Sequence, residues 1–461
     1  MSLKNKKFLL IIIFALLSVT TAIGQNTFIK CITFPGNALG YSVCQTPDND
    51  IVVAGILSNP LLIFKDDSLG NLLWYRTYGN QHQEVGKLIE TSNSNFLVCG
   101  TIDLGPRFLY LVMINPQGDT LWTRIFRPTN GQAWGVSVCE APDRGFMAIG
   151  SAIDSIERFY LYAVKIDSLG NLQWIKTFRT SDRDRYASSI LVNDSSYLIL
   201  SNVSNSSSNY GYIEILKIDQ EGNQIGNRIY DLWPGRTEYA KDIRPTENGY
   251  LIVGSRSVDT TSSFLALKIS YLLNQEWLKT YKLSDLHDLA ITFVPTTNGY
   301  WLVGTINDPN YTSNTIRIGL LRINSQGDSL DVKTFQGNNY GTRATDAQLA
   351  NDSGLIIVGY VCSNPGQVIL IKTDGQGNVG TQENPMSHSF SHPIKVFPNP
   401  NHGLVNFQIS NRQKGNLKIF DALGRNIKEI EIKDHVRLKL SAGIYFYRLK
   451  NQTGKIVILS P

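Results

Sequence analysis

Residues 159–178 read FYLYAVKIDSLGNLQWIKTF, and this stretch decides the fold. An apolar run ends at Asp167, Gly170-Asn171 supply a turn, and a second run carries Trp174, Lys176 and Phe178. Glycine and asparagine accept the positive φ of a tight reversal, and aromatic and β-branched flanks suit a pleated surface, so the segment predicts a β-hairpin. The hairpin recurs along the chain. Its turn position is held by Gly70, Gly118, Gly170, Gly222, Leu273, Gly327 and Gly377, at a period of about 50 residues.

Two more columns keep the same period. A strand ending in glycine recurs as IVVAG (Gly55), FLVCG (Gly100), FMAIG (Gly150), YLIVG (Gly254), YWLVG (Gly304) and LIIVG (Gly359), with Ser201 of YLILS in the remaining place. Small residues at Gly40, Gly86, Gly135, Ala187, Ala240, Ala290 and Ala344 each precede a further short strand. Each unit therefore holds four strands, and the expectation is an all-β, seven-bladed β-propeller. Small residues belong on the innermost strand because the blades converge at the axis. The outermost-strand motif ends at Tyr78, Phe126, Phe178, Tyr230, Tyr281 and Phe335 but has no copy after the last hairpin. The N-terminal IKCITF, residues 29–34, is expected to complete the seventh blade and leave no sheet edge open.

Charged residues make up 18% and hydrophobics 42%, the balance of a globular rather than a disordered chain. The net charge of +5 is unevenly spread: about three positive charges fall in the first 25 residues and about eight net in the last 70. The middle is left acidic, which argues against a nucleic-acid partner. Lys4, Lys6 and Lys7, an apolar run over residues 8–17 and Ala22-Ile23-Gly24 read as a signal peptide, residues 1–24. No later stretch is apolar for long enough to predict a transmembrane segment in the mature chain. The five cysteines, Cys31, Cys44, Cys99, Cys139 and Cys362, are odd in number, lie in strand-like surroundings and form no CxxC pair. They read as buried free thiols, and no metal site or cofactor is expected.

The propeller is expected over residues 25–380 and a polar linker over 381–392. Residues 393–461 follow as a small β-sandwich of alternating strands and Gly/Asn turns. This last unit resembles the C-terminal sorting domain of the type IX secretion pathway of Bacteroidetes. The residues that carry the resemblance are Pro398-Asn399-Pro400 with Gly403, Ile419-Phe420-Asp421 with Leu423-Gly424-Arg425, then Leu440, Gly443, Tyr445 and Gly454-Lys455. The chain ends in ILSP, where such domains usually finish with a lysine-bearing strand. The resemblance implies the type IX machinery as a partner and a secreted or outer-membrane-surface protein. The repeat is similar to propellers that commonly travel with such tails. The spacing of Asp67, Gly70, Asn71 and Trp74 is also similar to the sialidase Asp-box and the tryptophan motif of quinoprotein dehydrogenases, structural in both families.

Function is less legible. The Asp-x-x-Gly-Asn turns offer one or two oxygens each, whereas calcium needs six to eight converging, so they read as structural. Trp74, Trp122, Trp174 and Trp277 occupy one repeat position and read as inter-blade packing rather than a sugar-stacking set. Two residues before the small-residue column stand Ala38, Glu84, Ala133, Arg185, Glu238, Asp288 and Thr342. Of these, Glu84, Arg185, Glu238 and Asp288 form a candidate ligand-binding ring at the channel mouth, the plainer reading being a solvated rim. Only His82 and His287 lie in the propeller, which leaves Ser-His-Asp and multi-histidine chemistry little to draw on, and no catalytic residue is assigned. The expectation is a secreted or surface binding module for an unknown extracellular ligand, glycan, peptide or protein. The alternative is a polysaccharide hydrolase or lyase using carboxylates at the channel mouth.

Overall fold

A computed structural model describes residues 26–461 except 130, 156, 181–182, 194–195, 206–207, 233–236, 259–260, 286, 307–315, 338–339, 381–393, 398–402, 410–414, 423, 433–434, 450–451 and 459–461. The expected signal peptide, the linker and the Pro398-Asn399-Pro400 motif lie outside the described residues. The chain divides into two compact units, one carrying the ring of sheets and the other the strands beyond Ser387.

The first unit is a seven-bladed β-propeller of four-stranded antiparallel sheets. Six blades follow chain order from the innermost strand outward, as in Gln132–Glu140, Phe146–Ile153, Phe159–Ile166 and Leu172–Phe178 of the third. In the seventh, Thr342–Leu349, Leu355–Val361 and Gln367–Lys372 are joined by Phe28–Ile32, so the start of the chain supplies the outermost strand. That strand begins one residue earlier and ends two residues sooner than the sequence suggests.

Burial explains the strand order. Second strands such as Ile51–Leu57 are buried on both faces, because each sheet is sandwiched between neighbours, whereas outermost strands such as Leu72–Tyr78 alternate with solvent. The column glycines of the second strand meet the innermost strand at its closest approach. A Cβ at Gly150 would stand 1.9 Å from the Trp134 carbonyl oxygen, inside any allowed contact.

The outer-strand tryptophans are inter-blade packing. Trp74, Trp122, Trp174 and Trp277 each lie against the turn glycine of the next blade, Gly118, Gly170, Gly222 and Gly327. Phe28 of the closing strand does the same at Gly70. In the sixth blade, Asp331 has replaced the tryptophan, and Trp301 from the second strand reaches Gly377 instead. The fourth blade has Gly226 at this position, and there alone the next turn carries leucine, Leu273 at φ 61°. Leu273 packs into the cluster that includes Tyr250, Ile252 and Leu267. One large side chain per junction is therefore conserved by exchange, not by position. Gly226→Trp alone is expected to cost about 1–3 kcal/mol by overpacking. Adding Leu273→Gly should recover most of that, a coupling of about 1–3 kcal/mol in a urea-melt double-mutant cycle. Additive effects would remove the exchange.

The turns are self-contained. Asp67 accepts from the backbone of Leu69 at 2.9 Å and Asn71 at 2.8 Å and from the Asn71 amide at 2.9 Å, which uses its carboxylate within its own turn. Burial is the largest single influence and opposes ionisation at Asp67, but these hydrogen bonds together prevail and hold its pKa below the usual carboxylate range. All five cysteines are free thiols, and burial pushes Cys31 up to about 11, which leaves it unreactive.

The second unit pairs a three-stranded sheet, Ile394–Phe397, Leu404–Ile409 and His435–Lys439, with a four-stranded one. Val405, Phe407, Leu417, Ile419 and Ile456 are among the residues of its core. Several motif residues shape turns here. Asp421 accepts from the Arg425 backbone at 3.0 Å and its Nε at 2.7 Å across Gly424, which takes φ 77°. The Tyr445 hydroxyl donates to the Ser441 carbonyl at 3.1 Å. Gly403 and Gly443 also take positive φ, 111° and 155°, and Lys455 pairs with Phe446 in the four-stranded sheet.

Candidate ligand-binding faces of the propeller

Every innermost strand carries a bulge, just past its small residue in six blades and at Gly86 itself in the second. Gly40 pairs with Gly55 and Ser42 with Ala54, leaving Tyr41 unpaired, and the other six blades repeat the pattern. A bulge re-aims side chains, here toward the axis. In the second blade the residue opposite Gly100 is Val85, and Gly86 is the bulge itself. The structural column is therefore Gly40, Val85, Gly135, Ala187, Ala240, Ala290 and Ala344. The slip of one residue has a steric cause: a Cβ at Gly86 would lie 2.3 Å from the Val136 carbonyl oxygen, so glycine is required one position later there.

The four sequence-predicted site residues do not converge. Arg185 is buried against Glu214, Nη2 to Oε1 at 2.7 Å, and Glu214 also accepts from Ser201 at 3.0 Å. Asp288 is fully buried and accepts from the Leu283 and Ser284 amides at 2.6 and 2.8 Å and from the Ser284 hydroxyl at 2.6 Å, fixing the loop before its own strand. Glu238 is also fully buried, and neither carboxylate oxygen has a hydrogen-bond partner elsewhere among the described residues. Burial pushes its pKa up to about 7, against the pull of Arg256. Because of the register slip, buried Gln83 takes the equivalent place in the second blade, and Glu84 falls one position on.

Two other arrangements do form. The first is axial. Beyond the bulge, a cavity of about 530 Å³ is lined by all seven innermost strands. The residue after the bulge is polar in every blade: Ser42, Lys87, Ser137, Ser189, Asp242, Thr292 and Asp346. Asp346 accepts from Ser42 at 2.6 Å and from Lys87 at 2.8 Å. Asp242 accepts from Arg244 at 2.8 Å and from Thr292 at 2.6 Å. Arg244 crosses on to the Ala347 carbonyl at 3.1 Å, so the ring is bridged from blade to blade. Burial alone would raise the Asp242 pKa, but Arg244, then Lys87 and the Thr292 hydrogen bond, hold it below the usual carboxylate range. Lys241 faces the same cavity, and the desolvation imposed by its surroundings lowers its pKa.

The second lies at the face where the innermost strands begin. Glu84, Trp134, Tyr186 and Tyr239 all sit immediately before the small-residue column, in blades two to five. Arg107 bonds Glu84 at 3.3 Å and lies 6.0 Å from the Trp134 ring. Trp134 stands 5.9 Å from Phe159, and Phe159 4.7 Å from Tyr186. Tyr239 is 48% exposed, and the other three rings are half-buried. The outcome is an arc of aromatic faces with an ion pair at one end. No group of three His, Cys, Asp or Glu that could hold a metal occurs among the described residues.

Residues 395–459 match the family described as the secretion system C-terminal sorting domain. This type IX sorting domain marks a secreted or cell-surface protein. No helix among the described residues is long and apolar enough to cross a membrane. No curated protein matches the chain. Among solved structures, the chain is similar to a virginiamycin B lyase from Staphylococcus aureus, at 10% identity and TM-score 0.49, over 75% of this chain and 99% of that one. A polysaccharide lyase, Uly1, matches at 9% identity and TM-score 0.47, over 74% and 90%. The subtype N10 neuraminidase-like protein of A/little yellow-shouldered bat/Guatemala/060/2010 matches at 11% identity and TM-score 0.40, over 75% and 97%.

Proposed function

We propose that this chain is an extracellular, non-enzymatic binding module that holds a carbohydrate across the arc of Trp134, Phe159, Tyr186 and Tyr239. Export would run through a Sec signal and the type IX machinery of a Bacteroidetes cell. The observation that carries the reading is the arc itself: part-exposed rings in contact from Trp134 through Phe159 to Tyr186, with Tyr239 at the equivalent place one blade on, beside a Glu84–Arg107 pair. Flat rings pack against the C–H faces of sugars, while the pair offers a donor and an acceptor to hydroxyls. The alternative, a polysaccharide-acting enzyme, finds poorly suited carboxylates. Asp242 and Asp346 are already bonded to cations and hydroxyls, and Glu238 is closed off from solvent.

Titration calorimetry of the full chain against a panel of neutral, carboxylated and sulfated oligosaccharides tests this. Trp134→Ala should weaken binding by roughly tenfold or more, in line with loss of a stacked aromatic anchor, and no reducing ends should accumulate. Affinity indifferent to Trp134→Ala and Tyr186→Ala would remove the arc from the site. Reducing-end release abolished by Glu84→Gln would establish the enzyme instead.

A further inference from the structure

We propose that the cleft between the outer strands of the second and third blades, on the same face as the arc, binds the anionic substituent of an acidic saccharide, a carboxylate or a sulfate ester. The inference rests on the carbohydrate reading above and names the class of sugar. The cleft is a cavity of about 600 Å³ on the same face, where the strands Thr120–Phe126 and Leu172–Phe178 end, and Tyr160, which follows Phe159 in the third strand, lines it. Arg127 follows the outermost strand of the second blade, and Arg179 that of the third. Both line the cavity.

The two guanidinium groups are placed differently. Arg179 is laid on the Tyr160 ring at 3.5 Å and bonded to Asp154 at 2.6 Å, which fixes it in the wall. Arg127 lies over Phe108 at 4.7 Å and has no acidic partner among the described residues. Among the described residues the cleft thus holds two cations and one anion, an imbalance that an incoming oxyanion would correct. Tyr162 supplies a second, independent sign. It lines the same cavity, is 1% exposed, and its hydroxyl has no hydrogen-bond partner among the described residues. A buried hydroxyl without a partner is costly, and an oxyanion accepting from it would relieve the cost. Thr177, paired with Tyr162 across the strands, adds a hydroxyl beside it. Arg127, Arg179 and Tyr162 together suit a planar or tetrahedral oxyanion, for which guanidinium is the fitting donor.

The test compares an oligogalacturonate with its methyl-esterified, neutral counterpart, and a sulfated galactan oligomer with its desulfated form, by calorimetry on the full chain. One acidic member should bind at least about tenfold tighter than its neutral partner, and which pair shows it separates carboxylate from sulfate. Arg127→Ala should reduce that preference to within about twofold while leaving the neutral oligomer unaffected. Tyr162→Phe should weaken only the acidic oligomer, with the thermal midpoint unchanged, a discrimination that a purely structural tyrosine would not show. Neutral and acidic members binding equally, or a preference that survives Arg127→Ala with Arg179→Ala, overturns the anion site and leaves the arc standing. Absence of binding by every oligomer overturns both.

Discussion

A chain from which residues up to Phe34 are removed is expected to melt well below the parent. Phe28–Ile32 is the outermost strand of the seventh blade, and it also grips the first. Lys30 donates to the Leu69 carbonyl at 2.6 Å and the Gly70 carbonyl at 2.9 Å, and the Phe28 ring covers Gly70. Cys31 is buried within the cluster of Ile357, Ile369 and Ile371, with Ile29 packed against it. Removing two or three such side chains forfeits about 3–9 kcal/mol, a large part of the whole stability of an ordinary domain. It also uncovers Gln367–Lys372 as an unpaired, apolar edge, which invites aggregation. Far-UV circular dichroism should show a midpoint lowered by more than about 10 °C, with aggregation on heating. Truncation after His392 should leave the propeller's midpoint within about 2 °C. Equal midpoints for the first deletion and the parent would mean that the ring does not depend on its closing strand.

Closure was legible because each marker is a steric necessity that repeats. The turn glycines recur because a ring rests on each, and the second-strand glycines because a carbonyl does. The seventh outermost strand could be missed at one end of the chain and found at the other. Blade two shows where such reading slips: Gly86 is small for the sake of the bulge, so counting from it placed Glu84 among buried positions when it belongs with Trp134, Tyr186 and Tyr239. The axial ring carries a usable signal, since Ser42, Lys87, Ser137, Ser189, Asp242, Thr292 and Asp346 align once that register is corrected. Its bonds were not readable, because Lys87 and Asp346 stand 259 residues apart and meet only when the ring closes. The aromatic arc was hidden for a different reason. It combines innermost-strand residues with Phe159, the first residue of a third strand, so no single column contains it.

Asp66 breaks the repeat in a way that predicts a measurable pH dependence. In blades two to six the matching residue is isoleucine, Ile114, Ile166, Ile218, Ile269 and Ile323, all buried. Asp66 is equally buried, pairs with Ile51, and has no hydrogen-bond partner on either oxygen among the described residues. Burial pushes its pKa from 3.8 up to about 7, with Lys30 pulling the other way. A carboxyl raised on folding is protonated in the native state while the unfolded chain has already released its proton. Stability therefore falls as pH rises from about 4 to about 7, and stays low above that. Three pH units of displacement correspond to about 4 kcal/mol. Glu238 acts in the same direction, so the two slopes add. Asp66→Asn should match the parent at pH 4 and exceed it at pH 8 by up to about 4 kcal/mol in urea melts. Asp66→Ile should gain at both, because it restores the apolar side chain that the other blades carry. A parent whose stability is flat from pH 4 to 8, or an Asp66→Asn variant less stable than the parent at pH 8, would mean that the carboxylate is stabilised where it lies.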